Sequence, residues 1–336
     1  MTKRRLTRQQ EQRIRQRQRQ QVDERQKVDE DGNLAADSTG RAGLVTCNFG
    51  QQLEVEALEG PQAGQLFRCY QRSNLPPLVC GDRVVFATDQ EEGGVIVGLE
   101  ERHNVFCRPG ASGQLKPVAA NIDLVLVVLA PRPEPFLNLL DRYLVAVENL
   151  SLKPLIVINK SDLRDTEPVP VIDTVLEDYP ALGYDVLEIS AHAGLGLGRL
   201  KAALAGKTTV VVGQSGVGKS SLVNALSTEI SARVGGLSGG AGKGTHTTTA
   251  AQLFHLDGFN LIDSPGIREF GLWHISPAQL LDGFVEFRPY LGQCKFRDCS
   301  HNNEPGCALR AAVATGAIQA YRLENCFQIL ASLQAV

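Results

Sequence analysis

Gly213-Gln214-Ser215-Gly216-Val217-Gly218-Lys219-Ser220 lies directly after the apolar run Thr209-Val210-Val211-Val212 and directly before the helical run Ser221-Leu222-Val223-Asn224-Ala225-Leu226. Strand, glycine-rich turn and helix in that order are the context a phosphate-binding loop requires. The glycines let backbone N–H groups turn inward onto phosphate oxygens, Lys219 supplies a cation to the β- and γ-phosphates, and the Ser220 hydroxyl can bind magnesium. The helix that follows brings its positive end to the same point.

Working outward, apolar strands alternate with amphipathic helical stretches: Ile122 to Ala130, Phe136 to Leu150, Leu155 to Ile158, and, beyond the phosphate loop, Asn260-Leu261-Ile262. This texture predicts an α/β domain with a largely parallel sheet. No internal repeat is visible.

A phosphate loop does not tell ATP from GTP; the base-reading loop does. Asn159-Lys160-Ser161-Asp162 follows the strand Leu155-Ile156-Val157-Ile158, at the carboxyl end where open sheets bind ligands. The Asp162 carboxylate can accept from guanine's ring N–H and exocyclic amine, donors adenine lacks, and an unpaired buried carboxylate discriminates strongly. Lys160 can lay its stem on the base, and Asn159 can tie this loop to the phosphate loop. Alone, the tetrapeptide reads rather as an ordinary turn and helix cap.

Ser190-Ala191 ends the strand-like stretch Val186-Leu187-Glu188-Ile189, at a spacing suited to a backbone donor for the guanine oxygen. Asp263-Ser264-Pro265-Gly266 closes the strand Asn260-Leu261-Ile262, as expected of a carboxylate that reaches magnesium through water and a glycine that senses the γ-phosphate. In isolation it is also a plain turn. Between them, Gly242-Lys243-Gly244-Thr245-His246-Thr247-Thr248-Thr249 is polar and glycine-rich, and reads as a switch loop ordered by nucleotide. One of Thr247, Thr248 and Thr249 should complete the magnesium shell; spacing does not settle which, and Thr248 stands for the three among the site residues. The joint occurrence of these motifs at strand ends decides for a guanine-nucleotide site, which Val217, Gly218 and Ser221 also line.

The order is rotated. Most GTPases run phosphate loop, switch loop, Asp-Pro-Gly type loop, base-reading loop, then Ser-Ala loop, whereas here the last two come first. Such a circular permutation is feasible because domain termini lie close together on the surface. One consequence is that the chain leaving Gly266 runs directly toward a C-terminal module, so nucleotide state can be passed there.

In that module Cys294, Cys299, His301 and Cys307 form C-x4-C-x-H-x5-C, three thiolates and one imidazole suited to a closed, structural zinc site. All four positions are protein, so no open position remains for catalytic water. Cys47, Cys69, Cys80, Cys107 and Cys326 read as core residues or idle thiols, since a 336-residue chain without a secretory signal does not suggest disulfides.

Between about 41 and 106, five short β-type segments recur between Gly and Pro breaks, at 43–46, 53–55, 65–70, 82–86 and 94–97, which suggests a small barrel. It binds nucleic acid or only packs and binds protein; strand count alone leaves both open. Residues 1–40 are rich in Arg and Gln, with eight Lys or Arg in the first twenty positions against the single acid Glu11, although the net charge of the chain is only −3. They read as a mobile basic arm or a solvated helix, and either can lie along phosphate. No apolar run reaches the roughly 18 residues that cross a bilayer, so a soluble, cytoplasmic protein is expected.

The permuted order, with Gly-Gln-Ser-Gly-Val-Gly-Lys-Ser, His-Thr-Thr-Thr, Asp-Ser-Pro-Gly-Ile-Arg-Glu-Phe and Cys-x4-Cys-x-His-x5-Cys, resembles the RsgA/YjeQ family of bacterial ribosome biogenesis GTPases. The match spans about residue 41 to the C-terminus. The resemblance implies four parts: the basic arm 1–40, an OB-type RNA-binding β-barrel at 41–107, a circularly permuted α/β P-loop GTPase domain at 108–272, and a mainly helical zinc-binding domain at 273–336. It implies that these bind the small (30S) ribosomal subunit and its rRNA late in maturation, that the subunit stimulates hydrolysis of GTP to GDP, and that the cofactors are one structural Zn2+ per chain and Mg2+ with GTP. A monomer satisfies all of this, and no membrane partner is implied. Where many GTPases place a water-orienting Gln after the Asp-x-x-Gly loop, this chain has Ile267, which cannot orient water. The family pattern then suggests His246 as the catalytic residue. Two other readings stand beside this one: a nucleic-acid-binding protein that holds GTP only as a structural ligand, and a GTPase switch whose partner is a protein or a different RNA.

Overall fold

The computed structural model describes residues 40–88, 93–109, 114–164, 166, 169–233, 251–263 and 275–334, and among these it has thirteen strands and seven α-helices. The basic arm up to residue 39, the switch loop with His246 and Thr248, and the segment with Gly266 and Ile267 lie outside the described residues.

Strands β1 (Arg41–Asn48), β2 (Gln52–Ala57), β3 (Leu66–Gln71), β4 (Arg83–Thr88) and β5 (Gly93–Leu99) run in the order 1-2-3-5-4 and close through β1–β4 pairing. With β3 and β5 parallel and the other pairs antiparallel, this is the five-stranded Greek-key barrel expected of an oligonucleotide-binding fold. Period-two alternation turns Leu53, Val55, Phe67, Cys69, Val84, Phe86 and Ile96 inward, and they fill the barrel. The edge of β1 then pairs with β12 (Gln252–Leu256) at Cys47↔Gln252, so barrel and α/β sheet are hydrogen-bonded into one continuous sheet. A hairpin of β6 (Val105–Pro109) and β7 (Leu115–Ala120), which the sequence reading did not anticipate, connects the two.

In the α/β part the order is β10 (Asp185–Glu188), β9 (Lys153–Ile158), β8 (Leu124–Leu129), β11 (Thr208–Val212), β13 (Phe259–Asp263), β12. The first five are parallel and β12 alone runs antiparallel. The strands are apolar throughout because both faces are covered. Along β8, Val125, Val127 and Leu129 join one core, while Leu124, Leu126 and Val128 join the other. The second core lies under α3 (Leu197–Leu204) and α4 (Lys219–Arg233), the first under α1 (Leu137–Asn149) and α2 (Pro170–Ala181).

The C-terminal helices α5 (Pro277–Gly283), α6 (Ala308–Ala314) and α7 (Ala320–Gln334) build no core apart from that first one. Leu280, Phe284, Phe287, Leu309, Ile318 and Ile329 are buried together with Leu140, Leu144 and Val147 of α1, and each such side chain contributes about 1.5–3 kcal/mol. Helix α5 starts sharply: Pro277 at its first position and a capping box between Ser276 and Gln279 satisfy its free N–H groups. A polar cluster crosses the same interface. Asp141, fully buried, accepts from Tyr179 (2.6 Å), Asn325 (2.7 Å) and the Arg322 guanidinium, which also grips Glu286 (2.6 and 3.1 Å) between the rings of Tyr179 and Phe284.

Candidate functional site

Because β9, β10, β11 and β13 are parallel, the residues that follow them emerge on one edge of the sheet. Asn159-Lys160-Ser161-Asp162 leaves β9, Ser190-Ala191 follows β10, Gly213 to Ser220 leaves β11, and Asp263 ends β13. These sequence-predicted residues are therefore brought together at the carboxyl ends of four parallel strands, two on either side of β8, where an α/β sheet binds ligands.

Asn159 holds the loops in register. It is 1% exposed; its Nδ2 donates to Val217 O in the phosphate loop (2.9 Å), and its Oδ1 accepts from the Ala191 N–H (3.0 Å). Of the backbone donors that the Ser190-Ala191 pair offers, the Ala191 N–H is thus engaged by Asn159. Such closeness needs a glycine at 218, with φ of +95° and room for no Cβ, which would sit 2.4 Å from Asn159 Nδ2.

Lys160, at φ +59°, sits in the left-handed region that non-glycine residues seldom occupy outside functional or tightly determined sites. Its Nζ donates to Arg132 O (2.7 Å) and Gly216 O (2.8 Å), so the stem spans from the base-reading loop to the phosphate loop. Ser161 is tied by its N–H to Ile189 O (3.0 Å), while Asp162, in the short 3-10 turn Ser161–Leu163, is exposed. The Ser190 hydroxyl accepts from the Ala193 N–H (2.9 Å) and so shapes its own loop.

In the phosphate loop, Lys219 Nζ donates to Gly213 O (2.7 Å) and Gln214 O (2.6 Å), which folds the side chain back across the loop. Val217 is buried beneath it, whereas Ser215, Gly216, Ser220 and Ser221 face solvent. Helix α4 begins at Lys219, so its positive end opens onto this loop. The arrangement can bind a polyanion along the loop and a planar base against Lys160, with Asp162 at the base edge.

In the C-terminal module, the ligand atoms of Cys294, Cys299, His301 and Cys307 lie within 4.8 Å of one another. His301 Nδ1 is 3.4 Å from Cys294 Sγ and 3.5 Å from Cys307 Sγ. Three sulfurs and one nitrogen converging at this spacing fit a tetrahedral zinc ion with all positions taken by protein. Burial lowers the His301 imidazole below its ordinary value, which favours the neutral ligand form. The Ala308 N–H donates to Cys294 Sγ (3.3 Å), supporting a thiolate there. Glu304 braces the loop: its carboxylate accepts from Ser300 N (2.8 Å), Ser300 Oγ (2.5 Å) and Asn303 N (3.0 Å), bonds that hold its pKa down to about 2. The other cysteines form no disulfide; Cys47, Cys69, Cys80 and Cys326 are buried, and burial pushes the Cys326 thiol up to about 12, which suits an inert core residue.

The family model described as RsgA GTPase matches residues 99–273, the stretch that carries every strand end just described. The chain belongs to the RsgA GTPase family. It is 54% identical over 303 residues, 90% of this chain and 88% of the relative, to a small ribosomal subunit biogenesis GTPase RsgA of Pseudomonas fluorescens. It is 55% identical over 292 residues to a protein of the same name from Pseudomonas putida, covering 87% and 85% of the two chains. Among solved structures, YjeQ from Thermotoga maritima aligns with a TM-score of 0.71 at 32% identity, over 88% of this chain and 99% of that one. A circularly permuted GTPase, YloQ, aligns at 0.68 and 29%, over 90% and 98%. The rotated motif order is therefore a property of this family member's fold, and the family resemblance drawn from the sequence holds.

The Asp141–Arg322 cluster escaped the sequence reading. A signal existed: in the spacing Leu137, Leu140, Leu144, Val147, Asp141 falls on the apolar face of α1, where a lone carboxylate needs a partner.

Proposed function

We propose that this protein is a GTPase of small ribosomal subunit maturation: it binds the subunit and its rRNA, hydrolyses GTP to GDP and phosphate, and turns over faster when the subunit is present. The observation that carries the nucleotide reading is Asn159, one buried side chain bonded both to the phosphate loop at Val217 and to the Ser190-Ala191 loop at Ala191. That contact is useful only if base-reading and phosphate-holding loops serve one ligand.

In this reading Asp162 accepts from the guanine edge, Lys160 covers the base, and Ala191 shares its N–H between Asn159 and the guanine oxygen. The backbone of Gly213, Gln214, Ser215, Gly216, Val217 and Gly218 wraps the phosphates, with Lys219 on the β- and γ-phosphates and Ser221 at the helix start. Ser220, one of Thr247 to Thr249 with Thr248 as representative, and Asp263 through water would hold magnesium, which neutralises charge on the phosphates. Gly266 senses the γ-phosphate. Ile267 has no polar group, so His246 orients the attacking water, and the subunit orders the switch loop that carries it.

Zinc in this account is structural: Cys294, Cys299, His301 and Cys307 hold one ion that fixes the loop before α6. The barrel at 41–107 is the RNA-binding part. Phe49 and Tyr70 are 51% and 55% exposed beside β2 and β3, and the Arg68 guanidinium lies 4.0 Å over the Phe49 ring, a combination suited to unpaired bases and phosphate. The division at 107/108 and 272/273, the arm 1–40 as a further phosphate contact, a cytoplasmic location and a monomeric state belong to the same proposal. Among the described residues no helix is long and apolar enough to cross a membrane, in keeping with it.

Two measurements test this. Multiple-turnover phosphate release with GTP but not ATP is expected; a single turnover would make GTP only a structural ligand. Sedimentation with small rather than large subunits, dependent on the nucleotide, is expected in moderate salt; sedimentation with neither would point to another partner.

A further inference from the structure

The turn that carries Asp162 has little to anchor it by itself. Ser161–Leu163 is a short 3-10 turn with no buried residue. The Leu163 N–H donates to Lys160 O (3.0 Å) and the Arg164 N–H to Ser161 O (3.2 Å), bonds that shape the turn without attaching it to other elements. Asp162 is exposed, and among the described residues no donor holds its carboxylate. Where that carboxylate stands therefore depends on what holds the two ends of the turn. At the start, the Ser161 N–H is bound to Ile189 O (3.0 Å).

At the other end stands Arg164. Its Nη1 donates to Glu188 Oε2 (2.5 Å) and its Nη2 to Asp173 Oδ1 (2.7 Å), so one planar guanidinium grips carboxylates from two different elements. Both partners are themselves fixed. Glu188 closes β10, two residues before Ser190, and Asp173 lies in the first turn of α2, which Ile172, Val175 and Tyr179 seat in the core. The side chains of Arg164, Glu188 and Asp173 are 31%, 33% and 56% exposed, so the two pairs add little to global stability. What they add is position: the base-reading turn is tied to the strand that leads into Ser190-Ala191 and to a helix of the core.

We infer that Arg164 is a positioning residue for Asp162, and that its clamp on Glu188 and Asp173 sets how strongly the site prefers a purine with an amine at C2. The inference deepens the base-reading role proposed above and rests on it. A carboxylate held in advance at the base edge meets that amine without the cost of ordering the turn on binding. Loosening the turn should therefore weaken a ligand that offers both the ring N–H and the amine more than one that offers the ring N–H alone. Ribose and phosphate contacts are the same for both ligands, so a general loosening of the fold, or the changed charge, cancels in their ratio.

The test compares the Kd of GDP with that of IDP, which lacks the amine. Each is measured by displacement of a fluorescent GDP analogue from the full-length protein, so that only folded sites report. The unmodified protein should favour GDP by about tenfold or more, the worth of one hydrogen bond to a charged acceptor. In Arg164→Met that preference should fall about three- to tenfold, GDP losing more affinity than IDP. Arg164→Lys, whose ammonium keeps the charge but reaches one carboxylate at a time, should fall in between. Asp173→Ala removes one arm of the clamp at the surface and should shift the preference the same way by a smaller factor. Equal losses for GDP and IDP in Arg164→Met, or an unchanged preference there, overturn the positioning role; should Arg164→Met not fold, the same two outcomes in Asp173→Ala overturn it. A ratio near one in the unmodified protein would instead sink base reading by Asp162 itself, and is seen before any variant is made.

Discussion

Asp162 and Asn159 do different work at the same loop, and substitution separates them. Asp162→Asn replaces two acceptors by one acceptor and one donor, which suits a xanthine base, whose C2 oxygen stands where guanine has its amine. GTP affinity should fall on the order of a hundredfold, the loss of a charge-assisted hydrogen bond, and XTP should compete better than GTP. Retained preference for GTP in that competition would remove Asp162 from base reading. Asn159→Ala leaves Val217 O and the Ala191 N–H unpaired in a buried position. It should cost about 1–3 kcal/mol in nucleotide binding or in stability, read by calorimetry and by urea unfolding. The residues with a motif around them were legible from the chain because their chemistry demands a fixed spacing within one loop. Arg322 was not: its partner Asp141 lies 181 positions away, and local spacing carries no record of such a pair.

At the scale of elements, the alternation of apolar strands and amphipathic helices gave β8, α1, β9, β10, β11, α4 and β13 in their places, because strands covered on both faces read as continuous apolar runs. The hairpin β6–β7 and the strand β12 were missed; β7 carries Pro117, and β12 mixes Gln252 and His255 among its apolar residues, so neither shows a clean period. The element that most repays a test is α7. Arg322→Met leaves Asp141 and Glu286 buried without their cation, a loss of about 3–5 kcal/mol that should appear as a lower urea midpoint. An unchanged midpoint would mean that the cluster adds nothing to the docking of α7. The proposed zinc site adjoins the same interface, because Cys307 stands immediately before α6. Cys299→Ser, or a chelator, should release one zinc per chain and lower the melting temperature of the whole α/β part rather than of an isolated tail, since the C-terminal helices share its core. Two separate melting transitions would contradict that.

Across the whole molecule, one continuous sheet joins the barrel to the nucleotide domain, and one core joins that domain to the zinc module. Whatever the barrel and zinc module touch is thus mechanically tied to the strand ends where GTP is proposed to bind. The permutation puts both attachments on the chain that leaves the site, β12 toward the barrel and the segment after Asp263 toward α5. In the proposed function, a ribosomal surface that holds barrel and zinc module together orders the loop carrying His246. His246→Ala should bind GTP as the unmodified protein does and lose subunit-stimulated turnover; full stimulated turnover would exclude the residue from the chemistry. The central claim is tested most directly by GTP hydrolysis of the purified protein in moderate salt, alone, with isolated small subunits and with isolated large subunits. The account predicts slow turnover alone and strong stimulation by small subunits only. Equal stimulation by large subunits, or none by either, would contradict it.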